Sequence, residues 1–344
     1  MIIVNNMLKG VDNMRISKIY YEPNIEDYYL GRYLLEKYSD IQKIPIDNHN
    51  NIESLRKSSN KDFRTLKTYL IIGTRKTHKY TPNHKSSDYL VPFTSSGCGA
   101  MCLYCYLVCN YNKCSYLRVF VNREEMMFKL IKKSLKTISP SIFEIGSNSD
   151  LVLENTITSN LPWAIESFAE SGRGFITFPT KFSMVDPLLN LNHKGKTIIR
   201  MSVNPQEIIS NIEIGTSSLL NRIKAVNKLC DAGYKIGLLI APVIMVDNWK
   251  KLYVELLDIL NDKLSSKAKN DMFIEVIFMT YSFIHRAINH DAFPHVEDLY
   301  SRDLMTARGR GKYAYKKELR QEGEIFLRNE IEKRFSESKI LYIV

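Results

Sequence analysis

The sequence predicts an α/β fold built as a partial barrel of about six strand–helix units. Two observations carry this. From residue 90 onward, short apolar or β-branched runs recur, and stretches with helical apolar spacing separate most of them. Such alternation specifies parallel strands joined by crossover helices, with a doubly wound open sheet as the alternative arrangement.

Residues 1–13 are polar and patternless and read as a loose extension, with Met14 a second candidate start. The segment YYLGRYLLEKY (28–38) has helical spacing, and residues 47–62, rich in Asn, Ser and charge, read as an exposed loop. The strands expected next are LVPFT (90–94), IFEIG (142–146), FITF (175–178), TIIRMSV (197–203), IGLLIAP (236–242) and FIEVIF (273–278). Helices are expected over 126–138, 218–233 and 249–264, and Gly233 stands where a helix C-cap belongs. In a barrel the chemistry lies at the C-terminal ends of the strands. Ser147, Ser149, Lys181, Ser202 and Asn204 all fall there.

The longest apolar stretch, Ile236 to Val246, is too short to span a bilayer and contains Pro242, so it reads as a buried strand. The N-terminus lacks a basic region followed by a long apolar core, so no signal peptide is expected and a cytoplasmic location is. The formal net charge of +11 suits a polyanionic partner, and equally a solubilising surface.

Five of the six cysteines fall between Cys98 and Cys114. In a chain of this length without a secretion signal, such clustering points to metal binding or redox chemistry, not a disulfide scaffold. SSGCGAMCLYCYLVC places Cys98, Cys102 and Cys105 at C-x3-C-x2-C spacing directly after the first barrel strand. Three thiolates on one loop can hold three irons of a [4Fe–4S] cubane and leave the fourth free to chelate a small molecule. In radical S-adenosylmethionine (SAM) enzymes that molecule is SAM, and Tyr104 before the third cysteine fits their motif. A zinc knuckle, or a four-cysteine cluster using Cys109 or Cys114, is the competing reading. His78 and His84 lie upstream without recognisable zinc spacing.

From about Ile16 to its C-terminus the chain resembles the spore photoproduct lyase family. The resemblance runs in order through IYYEPNIEDYYLGRYLLEKY, IIGTRKTHKY, CGAMCLYCYL, YLRVFVN, FEIGSNSD, TKF, VDPLL, RMSVNP, GTSSLLNRIKAVNKLCDAGYKIGLLIAP and GRGKYAY. It implies a partial (β/α)6 radical SAM barrel, with an N-terminal extension and a C-terminal β-hairpin and helix. The domains expected are a helical and loop extension over 1–85, the barrel over 86–285, and the hairpin and helix over 286–344. The implied activity is repair of the thymine dimer called spore photoproduct in UV-damaged DNA. A 5′-deoxyadenosyl radical takes a hydrogen from C6 of the lesion, and the methylene bridge then breaks to restore two thymines. A cytoplasmic monomer is expected, with an electron donor such as flavodoxin or ferredoxin and no membrane partner.

By the same resemblance Cys98, Cys102 and Cys105 are the cluster ligands, and Tyr104 and Tyr106 take part in radical handling or SAM contact. Ser149, Lys181, Ser202 and Ala241 match SAM-binding positions. GRGKY (309–313) matches a hairpin that engages the lesion strand. Arg308, Arg310 and Lys312 there suit phosphates, and Tyr313 or Tyr315 suits stacking on a base or sugar.

The chain departs from the family pattern at three places. The family's hydrogen-donating cysteine is Ser147 here, and an O–H bond is a far poorer hydrogen-atom donor than S–H. Cys109, Cys114 and Tyr106 are the candidate replacements. The family's E-L-I-Q-H-R-F-like stretch reads EVIFMTYSF (275–283). An arginine expected before the hairpin glycines is replaced by Ala307 or shifted to Arg308. Two other functions stay open: a diverged radical SAM enzyme acting on another nucleotide or a peptide, and a non-catalytic iron–sulfur or zinc nucleic-acid binder.

Overall fold

The computed structural model describes residues 14–109 and 116–344. The expectations for residues 1–13 and for Cys114 lie outside them. The chain opens with three short strands, β1 (Lys18–Tyr21), β2 (Lys43–Pro45) and β3 (Tyr69–Gly73). β1 pairs in parallel with both β2 and β3. β4 (Thr81–Pro82) and β5 (Tyr89–Leu90) then enter the barrel, and β6 (Ser95–Ser96) leaves it again. After β7 (Met101–Cys102), β8 (Leu117–Phe120) pairs in parallel with β3 and antiparallel with β6.

The N-terminal region carries the expected helix, at Tyr29–Lys37, and adds three strands to a five-stranded sheet in the order β2-β1-β3-β8-β6, which the helical and loop extension did not include. Its strand-forming runs are short: KIYY and YLIIG each bury apolar residues but extend over only four or five positions. A boundary at residue 85 also does not separate this unit, because β6 and β8 return to it from beyond that point. The segment 47–62 is likewise not wholly exposed, since it carries a helical turn (Glu53–Arg56) and buries His49, Ile52 and Leu55.

The remaining strands are β9 (Ile142–Glu144), β10 (Phe175–Thr180), β11 (Thr197–Val203), β12 (Glu213–Ile214), β13 (Lys235–Val243), β14 (Phe273–Phe278), β15 (Thr280–Ser282), β16 (Met305–Ala307), β17 (Lys312–Tyr315) and β18 (Lys339–Ile343). The main sheet runs β18-β14-β13-β11-β10-β9-β5-β4. Its inner six strands, β5, β9, β10, β11, β13 and β14, are mutually parallel and follow the sequence runs named above in order. The first strand lies at Tyr89–Leu90 and overlaps the expected run 90–94 at Leu90 alone. Pro92 lacks an N–H for a ladder and ends it. β18 adds in parallel beside β14, so the C-terminal segment belongs partly to the barrel sheet and residue 286 is not a boundary.

Crossover helices cover the outer face: Arg123–Leu135, Leu151–Thr158, Asn160–Ser171, Leu219–Asp231 and Trp249–Lys263. Ser218 caps its helix by accepting from Asn221 N. Gly233 follows that helix at φ +86°, the left-handed position that glycine tolerates without a Cβ clash.

β11 is buried along its whole length. Arg200 and Ser202, two residues apart, therefore share one face of the strand. Arg200 pairs with Glu144 of β9 (2.7 Å) and Glu275 of β14 (3.3 Å), tying three barrel strands together one residue layer from Ser202. β15, β17 and β16 form a separate antiparallel sheet. Its β16–β17 hairpin turns through Gly309 (φ +82°), Arg310 (φ +51°) and Gly311 (φ +69°). Among the described residues no helix is long and apolar enough to cross a membrane.

Candidate active site

The site is assembled where the cysteine loop lies over the C-terminal ends of the barrel strands. β7 of that loop pairs antiparallel with β12, which places Cys102 opposite Glu213. Leu103 N also donates to Ile212 O (3.0 Å). Three side chains from other elements tether the loop's carbonyls. Lys67 Nζ donates to Cys98 O (2.9 Å), Asn289 Nδ2 to Leu103 O (2.8 Å), and His285 Nε2 stands 2.9 Å from Cys105 O.

Burial pushes the Cys98 thiol up to about 12, with Asp150 and Cys105 acting the same way. Burial also raises Cys102, with Glu213 and the other two thiols contributing. Cys98 and Cys102 are thus buried thiols beside other acidic groups, and their ionisation needs positive charge, which the irons of a cluster provide. Among the described residues no three His, Cys, Asp or Glu side chains converge on a single metal ion. Three thiols on one loop, with no histidine among them, suit three corners of a cubane.

Lys181 is the centre of a polar cluster beside this loop. Its Nζ donates to Ser202 Oγ (2.7 Å), Glu213 Oε1 (2.8 Å) and the carbonyl of Ala241 (2.9 Å). The ends of β10, β11 and β13 thus meet at one ammonium group. The Tyr104 ring lies 5.6 Å below the same nitrogen, and its hydroxyl donates to Glu213. Three of the positions expected to bind SAM and one of the tyrosines are therefore in contact around Lys181.

Ser149 sits apart from that cluster of contacts. It bridges to Gly97 at the start of the cysteine loop and its hydroxyl lies 2.5 Å from that of Ser95. Asp150 joins the two halves of the site: it caps the helix at Leu151, and it accepts from Thr180 Oγ1 (2.8 Å) and Lys181 N (2.9 Å). Tyr106 is half exposed, and its hydroxyl donates to the carbonyl of Ser147. Cys109 ends a short 3-10 helix that begins at Tyr106, and its side chain lies outside the described residues.

Sequence reasoning missed Glu213, the carboxylate at the heart of the site. Burial opposes its ionisation, yet Lys181 and Arg222 beside it hold it well below the usual carboxylate range. Arg222 Nη2 binds its second oxygen at 2.7 Å, and Asn204 Nδ2 donates to the first at 2.9 Å. One signal was available. Arg222 interrupts the apolar stripe Leu219, Ile223, Val226, Leu229 of its helix, and an arginine on a buried face requires a buried anion. Lys67, His285 and Asn289 carry no such sign, because the loop they hold is remote in sequence.

In the hairpin, Arg308, Arg310 and Lys312 are exposed. Tyr313 is not an open stacking platform: Phe283 and Tyr300 meet its ring edge-on at centroid distances of 5.1 and 4.7 Å. Tyr315 is buried and its hydroxyl accepts from Met245 N, so it has a packing role instead of the expected contact with a base.

A family profile described as spore photoproduct lyase matches residues 15–344. The chain belongs to the spore photoproduct lyase family. A spore photoproduct lyase of Bacillus subtilis (strain 168) is 33% identical, over 94% of this chain and 97% of its own. One from Clostridium acetobutylicum is 31% identical over 97% of this chain and 100% of its own. Among solved structures, a spore photoproduct lyase complexed with dinucleoside spore photoproduct aligns with a TM-score of 0.89 at 29% identity, over 96% of this chain and 99% of that one. A double mutant with bound AdoMet and the same dinucleoside aligns at 0.88 and 29%, with the same coverage. The partial barrel expected from the strand rhythm is the fold of these spore photoproduct lyases.

Proposed function

We propose that this spore photoproduct lyase family member is a radical SAM enzyme that converts spore photoproduct in damaged DNA to two thymines. The observation that carries the reading is the Lys181 ammonium, held at the ends of three barrel strands by Ser202, Ala241 and Glu213, beside the strand that carries Cys102. When bound, the [4Fe–4S] cluster and SAM supply the one-electron chemistry that removes the C6 hydrogen of the lesion.

The chain's own residues do the rest. Cys98, Cys102 and Cys105 hold the cluster. Lys181 is a cation that pairs a carboxylate of SAM by turning one of its three N–H groups from its present partners, and Ser202 and the Ala241 carbonyl offer polar contacts around it. Ser149 lines the side nearest the loop. Ser149 and Ser202 are buried and Tyr104 is partly buried, which limits the water around these groups.

The hydrogen returned to the thymine radical has to come from another residue than Ser147. Tyr106 is that donor in this reading, because its phenol hydrogen-bonds to the Ser147 carbonyl; Cys109 is the alternative. Arg308, Arg310 and Lys312 form the contact with DNA phosphates, and a low-potential electron carrier of the flavodoxin or ferredoxin class reduces the cluster.

The test is anaerobic reconstitution followed by incubation with SAM, reductant and dinucleotide spore photoproduct. Release of thymidylyl-thymidine supports the assignment. SAM cleavage without any thymine product would reassign the chain to another substrate, and failure to assemble a cluster would remove the reading altogether.

A further inference from the structure

Lys67 lies just beyond the helical turn Phe63–Leu66, at the edge of the N-terminal sheet unit, and is only 2% exposed. Burying a lysine costs free energy unless its charge is used. Its ammonium lies 5.2 Å from the Phe63 ring centroid and donates to the carbonyl of Cys98 at 2.9 Å. The two other tethers of the same loop, Asn289 at Leu103 and His285 at Cys105, come from the helix Phe283–Ala292. Asn289 is neutral by chemistry. A hydrogen bond to a carbonyl therefore does not by itself require a cation at this loop, and Lys67 adds charge as well as position.

We propose that Lys67 is a positioning residue that sets the reduction potential of the cluster held by Cys98, Cys102 and Cys105. Reduction adds one negative charge to the cluster. A fixed cation nearby stabilises that reduced form, and burial keeps water and salt from screening it. Lys67 thus raises the potential into the range that a biological electron carrier reaches. The N-terminal unit, which contributes none of the three cysteines, acquires through Lys67 an electronic role in the site. The inference rests on the reading that the three thiols hold the cluster, and the parent protein tests that reading separately.

The experiment is a potentiometric titration of the reconstituted full chain, read by the EPR signal of the reduced cluster, with iron and acid-labile sulfide measured in each sample. A parent protein that assembles no cluster defeats the cluster reading itself. With the cluster present, Lys67→Met is expected to keep parental iron and sulfide and to shift the midpoint to more negative potential. Lys67→Arg is expected to restore it. Asn289→Ala, which removes a neutral donor from the same loop, is expected to move it far less. If Lys67→Met does not retain the cluster, Lys67→Gln decides the case, because it keeps a donor for the Cys98 carbonyl without the charge. An unchanged midpoint in the charge-free variant overturns the proposal. So does a shift in Lys67→Arg or Asn289→Ala as large as that in Lys67→Met.

Discussion

The hydroxyl of Tyr106 donates a hydrogen bond to the carbonyl of Ser147. This puts a phenol, whose hydrogen can be abstracted, at the residue where the family's pattern has its cysteine donor. The Ser147 hydroxyl itself is too strong an O–H bond to quench an allylic radical.

Tyr106→Phe is expected to leave cleavage of SAM to 5′-deoxyadenosine intact and to lower clean thymine repair on the order of tenfold, a barrier change of about 1.4 kcal/mol. Product analysis by chromatography should then show by-products of an unquenched thymine radical. Clean repair by Tyr106→Phe, together with its loss in Cys109→Ala, would move the donor role to Cys109. Ser147→Cys is expected to restore clean repair in the Tyr106→Phe background.

Lys181→Ala removes the cation proposed to pair a carboxylate of SAM, an ammonium that Ser202, Glu213 and the Ala241 carbonyl hold at the ends of β10, β11 and β13. A charge-assisted hydrogen bond is worth about 1.5–3 kcal/mol. The variant is therefore expected to bind SAM roughly ten- to a hundredfold more weakly, measured by equilibrium binding to the reconstituted protein. Lys181→Arg should recover only part of this, because a planar fork does not reproduce three converging contacts. Parental affinity in Lys181→Ala would take this residue out of the SAM pocket.

Glu22 links β1 to the loop before the Glu53 helical turn and to β3. It accepts from His49 N (3.0 Å) and Thr74 N (3.0 Å), and His49 Nδ1 stands 2.8 Å from it. Burial alone would raise its carboxyl, but the hydrogen bonds from His49 and Thr74 outweigh that and hold it at about 2. A carboxylate depressed on folding adds stability above its unfolded value, near ~4.3. That stability is lost as pH falls from there through about 2. Glu22→Gln should cost about 1–3 kcal/mol at pH 7, seen in urea unfolding, and should flatten the loss of stability over this acid window. An acid profile identical to the parent's would show that Glu22 is not its source.

Charge reversal of Arg308 and Arg310 to Glu, on the exposed turn between β16 and β17, is expected to weaken DNA binding uniformly across sequences. Each phosphate left without its arginine should reduce the slope of log K against log salt by about 0.9, so the pair should lower it by about 1.8. Fluorescence anisotropy across a salt series measures this. An unchanged slope would place the DNA contact elsewhere on the surface.

Much of this protein is local in origin and was legible as sequence. The apolar strand runs from IFEIG to FIEVIF, the helix ended at Gly233 and the GRGK turn are each marked by neighbouring residues, and each appears in the structure. The cysteine spacing belongs to this class too, since three thiolates within eight residues share one loop wherever the chain goes. Long-range contact decided the rest. KIYY and YLIIG are too short to announce a sheet, and only parallel pairing across some fifty residues makes them strands. Glu213 looks like any surface carboxylate until β12 pairs with β7, Lys181 closes on it from the end of β10, and Arg222 turns back to it from the helix that follows. Lys67 and Asn289 are polar residues of ordinary appearance until folding brings them to one loop from opposite ends of the chain. A buried charge is placed by the partners that repay its desolvation, and those partners are neighbours in space without being neighbours in sequence.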